Sequence, residues 1–261
     1  MTVFGKYSRY YNLLYRDKDY AAEADYTDSL IQKFCPGAKT ILDLGCGTGQ
    51  HDFFLSRKGY SLTGIDRSEK MISLARQHLS SSDVTAANPL VFLEGDIRTV
   101  RLGRVFDTVI SLFHVMSYQI SNEDLLSAFV TAREHLNNSG IFIFDCWYGP
   151  AVLTNRPEVR VKRLADEEIS VLRIAEPIMH PNENVVDVNY QVKISQKGTD
   201  IVENLQETHQ MRYLFRPEVE AFLTWTGFDL LMTGEWMTES DANFGSWYVF
   251  FVAKKSSKQP C

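Results

Sequence analysis

Between Thr40 and Asp145, short apolar segments alternate with amphipathic ones, and this alternation leaves few folds open. The apolar segments are Thr40–Leu44, Ser61–Ile65, Leu90–Leu93, Phe106–Leu112 and Ile141–Asp145. Between them, groups such as Met71, Ile72 and Ala75 recur at the spacing of one helix face. Parallel strands buried on both faces have continuous apolar sequences, because helices cover both sides of their sheet. The alternation predicts an α/β fold with a doubly wound, mostly parallel sheet.

The pattern changes after Pro150. From Val185 to Ser195, apolar and polar residues alternate strictly, which is typical of a half-exposed antiparallel strand. Further strands are expected at Glu168–Ile174, Gln210–Phe215, Asp229–Thr233 and Trp247–Ala253. The last two are close enough in sequence to form a hairpin. We therefore predict a Rossmann-like sheet of seven strands with a terminal antiparallel hairpin, and a β-rich insertion after the fifth strand.

The first strand leads into a glycine-rich turn, Gly45-Cys46-Gly47-Thr48-Gly49, and a helix follows it. Glycines let the backbone approach a ligand closely, and the N-terminus of the next helix offers unpaired N–H groups. On this segment alone, a tight turn without a ligand remains an alternative.

Two acids at later strand ends favour a ligand at this turn. Asp66 ends the second strand, 17 residues after Gly49, where a carboxylate can accept both hydroxyls of a ribose. Asp96 follows the third strand, where it can accept from an exocyclic adenine amine while the Ile97 backbone faces the ring. Three consecutive strand ends therefore carry the chemistry that an adenosine cofactor requires.

The glycine spacing argues against a dinucleotide. That fingerprint requires a third glycine or alanine three residues after the second, and Gln50 or Asp52 stands there in the two registers. Asp43, the Gly45-x-Gly47-x-Gly49 spacing and Asp96 instead resemble the class I S-adenosylmethionine-dependent methyltransferases, over roughly residues 40–145. The resemblance implies S-adenosylmethionine as the cofactor. The expected cofactor-binding residues are Asp43, Gly45, Cys46, Gly47, Gly49, Asp66, Arg67, Met71, Asp96, Ile97, Leu112, Phe113 and Tyr20.

A closer likeness extends over most of the chain. Residues 11–24, 47–51 and 102–106 resemble the bacterial N,N-dimethyltransferases that act on nucleotide-linked amino sugars. Those enzymes also carry a β-rich insertion, and an acid followed by aromatic residues after the fifth strand, here Asp145-Cys-Trp147-Tyr148. Two departures affect the acceptor pocket: the segment after Tyr15 is shorter and lacks their glycines, and His114 stands where they favour a small residue. The resemblance implies an amine acceptor.

Several residues are candidates for the acceptor side. Methyl transfer from a sulfonium is a direct displacement, so it requires alignment and a neutral acceptor, and a nearby base can take the proton of an amine. His114 is a candidate because histidine is the side chain that ordinarily changes charge near neutral pH, although a histidine after a strand is often structural. For the aromatic candidates, the alternative role is packing against the core. For Asp145, the alternative role is capping of the next turn. The expected catalytic residues are His114, Tyr15 and Tyr118; the expected substrate contacts are Tyr15, Asp145, Trp147 and Tyr148.

These assignments divide the chain into five parts. They are a helical lid (1–30), a cofactor-binding α/β core (31–150), an antiparallel insertion on the acceptor side (151–215), the last helix and strands of the core (216–253) and a flexible tail (254–261). An exposed face on the insertion is a candidate surface for a homodimer.

Charge and cysteine content limit the partners and the compartment. With 27 basic and 33 acidic residues the net charge is −6, which disfavours nucleic acid as a partner. The four cysteines show no paired spacing and no metal site is expected, so a reduced, cytoplasmic protein is favoured. No signal peptide or membrane segment is expected.

The predicted function is methyl transfer to a small polar acceptor, most of all the amine of a nucleotide-linked amino sugar. The alternatives are an O- or N-methyltransferase for another small metabolite and a non-catalytic, cofactor-binding partner subunit.

Overall fold

The computed structural model describes residues 13–80 and 89–257. Its strands are β1 (Thr40–Leu44), β2 (Ser61–Asp66), β3 (Leu90–Glu94), β4 (Phe106–Ser111), β5 (Leu136–Tyr148), β6 (Arg160–Ala165), β7 (Ile169–His180), β8 (Val185–Gln196), β9 (Val202–Leu214), β10 (Phe228–Glu235) and β11 (Tyr248–Lys255). Seven of them form the central sheet, in the order β3-β2-β1-β4-β5-β11-β10. β1 to β5 pair in parallel, whereas β11 is antiparallel to both β5 and β10. The predicted sheet with its C-terminal antiparallel hairpin is confirmed.

Helices cover both faces of the sheet. They are α1 (Tyr20–Phe34), α2 (Gln50–Arg57), α3 (Glu69–Ser80), α4 (Asn122–Glu134), α5 (Gly149–Thr154) and α6 (Arg216–Trp225). Alternate residues of each strand enter different cores: Phe142 packs with α4 and α6, whereas Ile141 packs with α1, α2 and α3. Two helices begin at capping side chains: the Asp19 carboxylate accepts the Ala22 N–H at 2.9 Å before α1, and the Ser121 hydroxyl accepts the Asp124 N–H at 3.0 Å before α4.

The insertion is a four-stranded antiparallel sheet in the order β9-β8-β7-β6. The alternation of apolar and polar residues in the sequence of β8 corresponds to one buried face, formed by Val186, Val188, Val192 and Ile194. β9 joins the central sheet over two residue pairs, Trp147↔Tyr213 and Tyr148↔Leu214. This short junction holds the insertion beside the carboxyl end of β5.

The ends of the chain differ from the sequence-based expectation in one respect. β11 continues to Lys255, so the first two residues of the predicted tail pair with β5 and β10. Residues 1–12 of the predicted lid and residues 258–261 of the tail lie outside the described residues. None of the helices within 13–80 and 89–257 combines the length and apolar character needed to cross a bilayer.

Candidate active site

A cavity of about 580 Å³ opens where the central sheet meets the insertion. Its walls come from the carboxyl ends of β1, β2 and β4, from the segment after β3, and from β6 to β9. In open α/β sheets, ligands bind outside the carboxyl ends of the strands, and ligand pockets commonly measure about 300–1,000 Å³. The cavity has the position and the size of a binding site.

The glycine turn forms one wall and is closely packed from behind. Gly45 has φ +97°, and a Cβ there would lie 2.5 Å from both Cγ atoms of Val115. A Cβ on Gly49 would lie 2.4 Å from the Phe92 ring, whereas nothing lies within 4 Å of such an atom on Gly47. Two of these glycines are therefore required by the surrounding side chains, and the turn at Gly47 faces open space that a ligand can occupy.

Asp66 is fixed beside this turn by backbone donors. Its Oδ2 accepts the Gly47 N–H at 3.0 Å, and its Oδ1 accepts the Ser68 N–H at 2.8 Å. Burial raises the pKa of Asp66, while these two N–H groups oppose the shift. Each carboxylate oxygen has a further lone pair, so the group retains capacity to accept ribose hydroxyls. The residues present fit an adenosine moiety at this position.

Asp96 borders the cavity with its carboxylate already paired. Arg98 Nε donates to Asp96 Oδ1 at 2.9 Å, and the same guanidinium reaches Asp124 through Nη1 at 2.7 Å. Hydrogen bonds from Arg98 hold the pKa of Asp96 below its usual range. Asp96 is therefore a carboxylate at neutral pH, and any adenine amine must share it with Arg98.

Asp43 lies behind the glycine turn and does not border the cavity. It is 2% exposed and sits beside Asp52, which is fully buried. Burial raises the pKa of Asp52 to about 7 and that of Asp43 well above its usual value, with the neighbouring carboxylate as the second cause for Asp43. The pair therefore holds a proton at neutral pH. Its carboxyl group supports the turn from inside, and the cofactor-binding role predicted for Asp43 stays a prediction.

Two tyrosines at the N-terminal side of the described chain border the cavity: Tyr15 precedes α1, and Tyr20 is its first residue. Tyr15 meets the Phe113 ring edge-on at 5.1 Å, and Tyr20 meets His51 at 5.0 Å. His51 Nε2 lies 2.7 Å from a carboxylate oxygen of Glu23, which also binds Lys18. These contacts attach α1 to the N-terminal turn of α2.

His114 occupies a strained turn directly after β4. Phe113 and His114 have φ of +64° and +65°, which is unusual for two consecutive residues with side chains. Asp145 holds this turn: its Oδ1 accepts the His114 N–H at 3.0 Å, and its Oδ2 lies 2.6 Å from Nδ1. Two bare acceptor atoms would repel at that separation, so the contact favours a proton on Nδ1. The imidazole also stacks on Tyr248, with ring centroids 4.3 Å apart.

Tyr118 connects the core to the insertion across the cavity. Its hydroxyl lies 2.9 Å from Nδ1 of His209 on β9, and His209 Nε2 lies 3.6 Å from a carboxylate oxygen of Glu207. Tyr190 meets the His209 ring edge-on at 4.9 Å. Burial raises the pKa of Tyr118 well above its usual value, so its phenol remains protonated.

The cavity brings together most of the residues predicted for the site. Those on its wall are Tyr15, Tyr20, Gly45, Cys46, Gly47, Asp66, Arg67, Met71, Asp96, Ile97, Leu112, Phe113, His114, Tyr118 and Trp147. Asp43, Gly49, Asp145 and Tyr148 do not border it. Asp145 holds His114 instead, and Tyr148 packs against the core on the α4 and α6 side.

Sequence reasoning expected the insertion on the acceptor side but named none of its residues that line the cavity. Those residues include Arg160, Lys162, Arg173, Tyr190 and His209, together with Tyr248 of β11. They carry no motif, because strand pairing alone brings them to the site from distant positions in the chain. Alternation in β8 predicted a two-faced strand but not which face would meet the core.

Comparisons with known proteins agree with this geometry. Residues 41–140 match the family described as a methyltransferase domain. Over 219 residues the chain is 29% identical to the dTDP-3-amino-3,4,6-trideoxy-alpha-D-glucopyranose N,N-dimethyltransferase of Streptomyces venezuelae. The aligned region covers 83% of this chain and 87% of that protein.

Solved structures show the same fold. The crystal structure of Streptomyces venezuelae DesVI superposes with a TM-score of 0.80 at 25% identity, over 96% of this chain and 98% of that one. An S-adenosylmethionine-dependent methyltransferase from Clostridium acetobutylicum superposes with a TM-score of 0.82 at 21% identity, over 97% and 98%.

The chain is an S-adenosylmethionine-dependent methyltransferase with S-adenosylmethionine as its cofactor, and its sheet resembles the class I fold of such enzymes. Within that class it resembles the N,N-dimethyltransferases of dTDP-linked amino sugars.

Proposed function

We propose that this methyltransferase acts on the amine of a nucleotide-linked amino sugar, with His114 as the general base. The observation that carries the proposal is the His114–Asp145 pair, which presents an imidazole on the cavity wall beside Leu112 and Phe113. The names of relatives support the acceptor, since three of them are dTDP-amino-sugar N,N-dimethyltransferases.

On the cofactor side, each wall residue has a part. S-adenosylmethionine supplies a methyl group on a sulfonium centre. Asp66 binds the ribose hydroxyls, Asp96 and Ile97 bind the adenine, and the turn at Gly45 to Gly47 holds the methionyl end. Arg67, Met71 and Cys46 complete this wall, and Tyr20 closes it from α1. Asp43 and Gly49 act indirectly, by supporting the turn.

On the acceptor side, the reaction requires an uncharged nitrogen. The nitrogen would have to present its lone pair to the methyl group that S-adenosylmethionine would supply, so the site must orient the amine and take up its proton. A proton on Nδ1 leaves Nε2 of His114 free of hydrogen, so Nε2 can take the proton that the amine loses. Tyr118 and Tyr15 orient the acceptor, and Trp147 offers it an aromatic face.

A methylation assay tests the proposal. The purified protein is incubated with S-adenosylmethionine and a dTDP-linked amino sugar, and mass spectrometry follows the gain of one or two methyl groups. The same sugar with a hydroxyl in place of the amine is the control. Methylation of the amine alone supports the proposal. Methylation of the hydroxyl compound instead would favour an O-methyltransferase, and cofactor binding without turnover on either compound would favour a non-catalytic subunit.

The other partner predictions belong to the same proposal. A small-molecule acceptor, rather than nucleic acid, is supported by the net charge of −6. The cysteines among the described residues, Cys35, Cys46 and Cys146, are free thiols, which supports a reducing, cytoplasmic setting. A homodimer through the insertion remains a prediction.

A further inference from the structure

Three cationic side chains meet on the wall that the insertion contributes to the cavity. Arg160 and Lys162 are alternate residues of β6, so they lie on the same face of the strand. Lys162 pairs directly opposite Arg173 of β7 in the antiparallel register. All three residues border the cavity. Strand pairing therefore concentrates positive charge in one part of the site.

This arrangement is unfavourable without a negatively charged partner. Like charges directly opposite each other on neighbouring strands destabilise a sheet. Arg173 is 8% exposed, with its guanidinium 4.9 Å from the centre of the Tyr190 ring. Burial, together with the charges of Arg173 and Arg160, lowers the pKa of Lys162. The fold thus holds cations together at an electrostatic cost, which is typical of a site that binds an anion.

Acidic groups near these cations are few among the described residues. Glu158 is the acid that the insertion contributes to the cavity wall. Asp17 raises the pKa of Lys162, but its side chain is 87% exposed and lies 3.7 Å from Arg16. A positive surplus remains on this wall of a protein whose net charge is −6.

The cations also lie close to the proposed base. Arg160 and Tyr248 both border the cavity, and the charge of Arg160 opposes the rise that burial produces in the pKa of Tyr248. The Tyr248 ring in turn stacks on His114. A ligand held by the cations can therefore extend toward the imidazole.

We infer that Arg160, Lys162 and Arg173 form a subsite for the diphosphate group of the acceptor. The inference rests on the proposed function and deepens it, because it assigns the part of the acceptor that this chain recognises by charge. A planar guanidinium can donate two hydrogen bonds to one phosphoryl group, and a lysine ammonium supplies a point charge. The subsite selects acceptors that carry a phosphoryl group over free amino sugars.

Calorimetric titration tests the subsite without requiring turnover. The probe is dTDP, added to the protein saturated with S-adenosylhomocysteine. Lys162→Gln is the informative variant, since Lys162 is exposed and its loss leaves the core intact. Arg163→Gln is the matched control: it removes the neighbouring cation of β6, whose side chain points to the other face. We expect about 10-fold weaker dTDP binding for Lys162→Gln, unchanged binding for Arg163→Gln, and displacement of dTDP by excess inorganic pyrophosphate.

Three results would overturn the inference: equal affinity of wild type and Lys162→Gln, an equal loss in both variants, or no displacement by pyrophosphate. Its failure is separable from failure of the proposed function. If Lys162→Gln and wild type methylate dTDP-linked and free amino sugars equally well, the subsite is wrong and the amine acceptor stands. If dTDP binds as expected but no amino sugar is methylated, the subsite stands and the acceptor chemistry is wrong.

Discussion

His114 is the residue on which the chemistry of the site depends most directly. Its backbone adopts φ +65°, and Asp145 fixes both its N–H and its ring. Two contacts to one carboxylate hold the imidazole in a single orientation despite the strained turn. The side chain is 12% exposed, so water has limited access to the nitrogen that would receive a proton.

Replacing this imidazole separates catalysis from cofactor binding. We expect His114→Gln to lower kcat about 100-fold, which is the usual contribution of a positioned base. Affinity for S-adenosylhomocysteine should not change, because the adenosine contacts lie at Asp66 and Asp96. Steady-state kinetics and calorimetry measure the two effects. His180→Gln, at a partly exposed histidine on the insertion, is the control and should keep full activity. Equal kcat for His114→Gln and wild type would remove the base from the mechanism.

The Asp43–Asp52 pair predicts a pH-dependent loss of stability. Burial raises the pKa of Asp52 to about 7 and that of Asp43 above its usual value, so folding favours the protonated pair. This contribution is complete below the unfolded value near 3.8 and is lost as pH rises through the folded value. The free energy of unfolding should therefore fall as pH rises from about 4 through about 7, by about 1.4 kcal/mol per pH unit for each proton that the folded pair retains.

The matched variant for this pair is Asp43→Asn. An amide can donate to Asp52 and has no proton to lose, so its stability should change less over the same pH range. Urea unfolding of both proteins at several pH values measures the difference. Parallel pH profiles would show that the pair does not titrate near neutrality.

At the scale of elements, the glycine turn and the turn after β4 support each other. Val115 begins the short 3-10 turn Val115–Tyr118, and its side chain fills the space beside Gly45. The cofactor wall and the acceptor wall thus meet at one contact. We therefore expect a change in either turn to affect the other.

Gly45→Ala tests this contact. The new Cβ would lie 2.5 Å from the Val115 methyl groups, so one of the two turns must move. We expect at least about 10-fold weaker binding of S-adenosylhomocysteine by calorimetry, which corresponds to about 1.4 kcal/mol. Gly37→Ala is the control: its φ of +87° is similar, but nothing lies within 4 Å of its Cβ position. It should cost about 1–2 kcal/mol of stability and leave the affinity unchanged. Equal affinities for both variants would contradict the coupling.

The same elements explain how far the sequence could predict the structure. Asp66 and Asp96 could be assigned to one edge because parallel strands end side by side, and each strand could be located from its local apolar run. Arg173 and His209 could not, since their approach depends on the register of β6 to β9 and on the two residue pairs that join β9 to β5. The role of Asp145 also required the structure, because its partner is 31 residues away in sequence.

At the scale of the whole molecule, few links hold the insertion in alignment with the core. Within residues 13–80 and 89–257, strand pairing between them covers Trp147↔Tyr213 and Tyr148↔Leu214 alone. The Tyr118–His209 hydrogen bond adds a link across the cavity. Because the proposed base lies on the core and the proposed anion subsite on the insertion, catalysis depends on this alignment.

Tyr118→Phe removes that link while keeping the ring. We expect amide hydrogen exchange to increase in β9 and β8 and to stay constant in β1 and β2, because the insertion loosens while the core sheet is unaffected. Tyr60→Phe is the matched control: its hydroxyl donates to Asp28 at 2.6 Å within the core, so its loss should leave the insertion unchanged.

Both variants, Tyr118→Phe and Tyr60→Phe, should lose about 1 kcal/mol of stability. KM for the acceptor should rise only in Tyr118→Phe, since only this change disturbs the two halves of the cavity. An exchange pattern in β8 and β9 identical to that of wild type would mean that the strand junction alone holds the insertion in place.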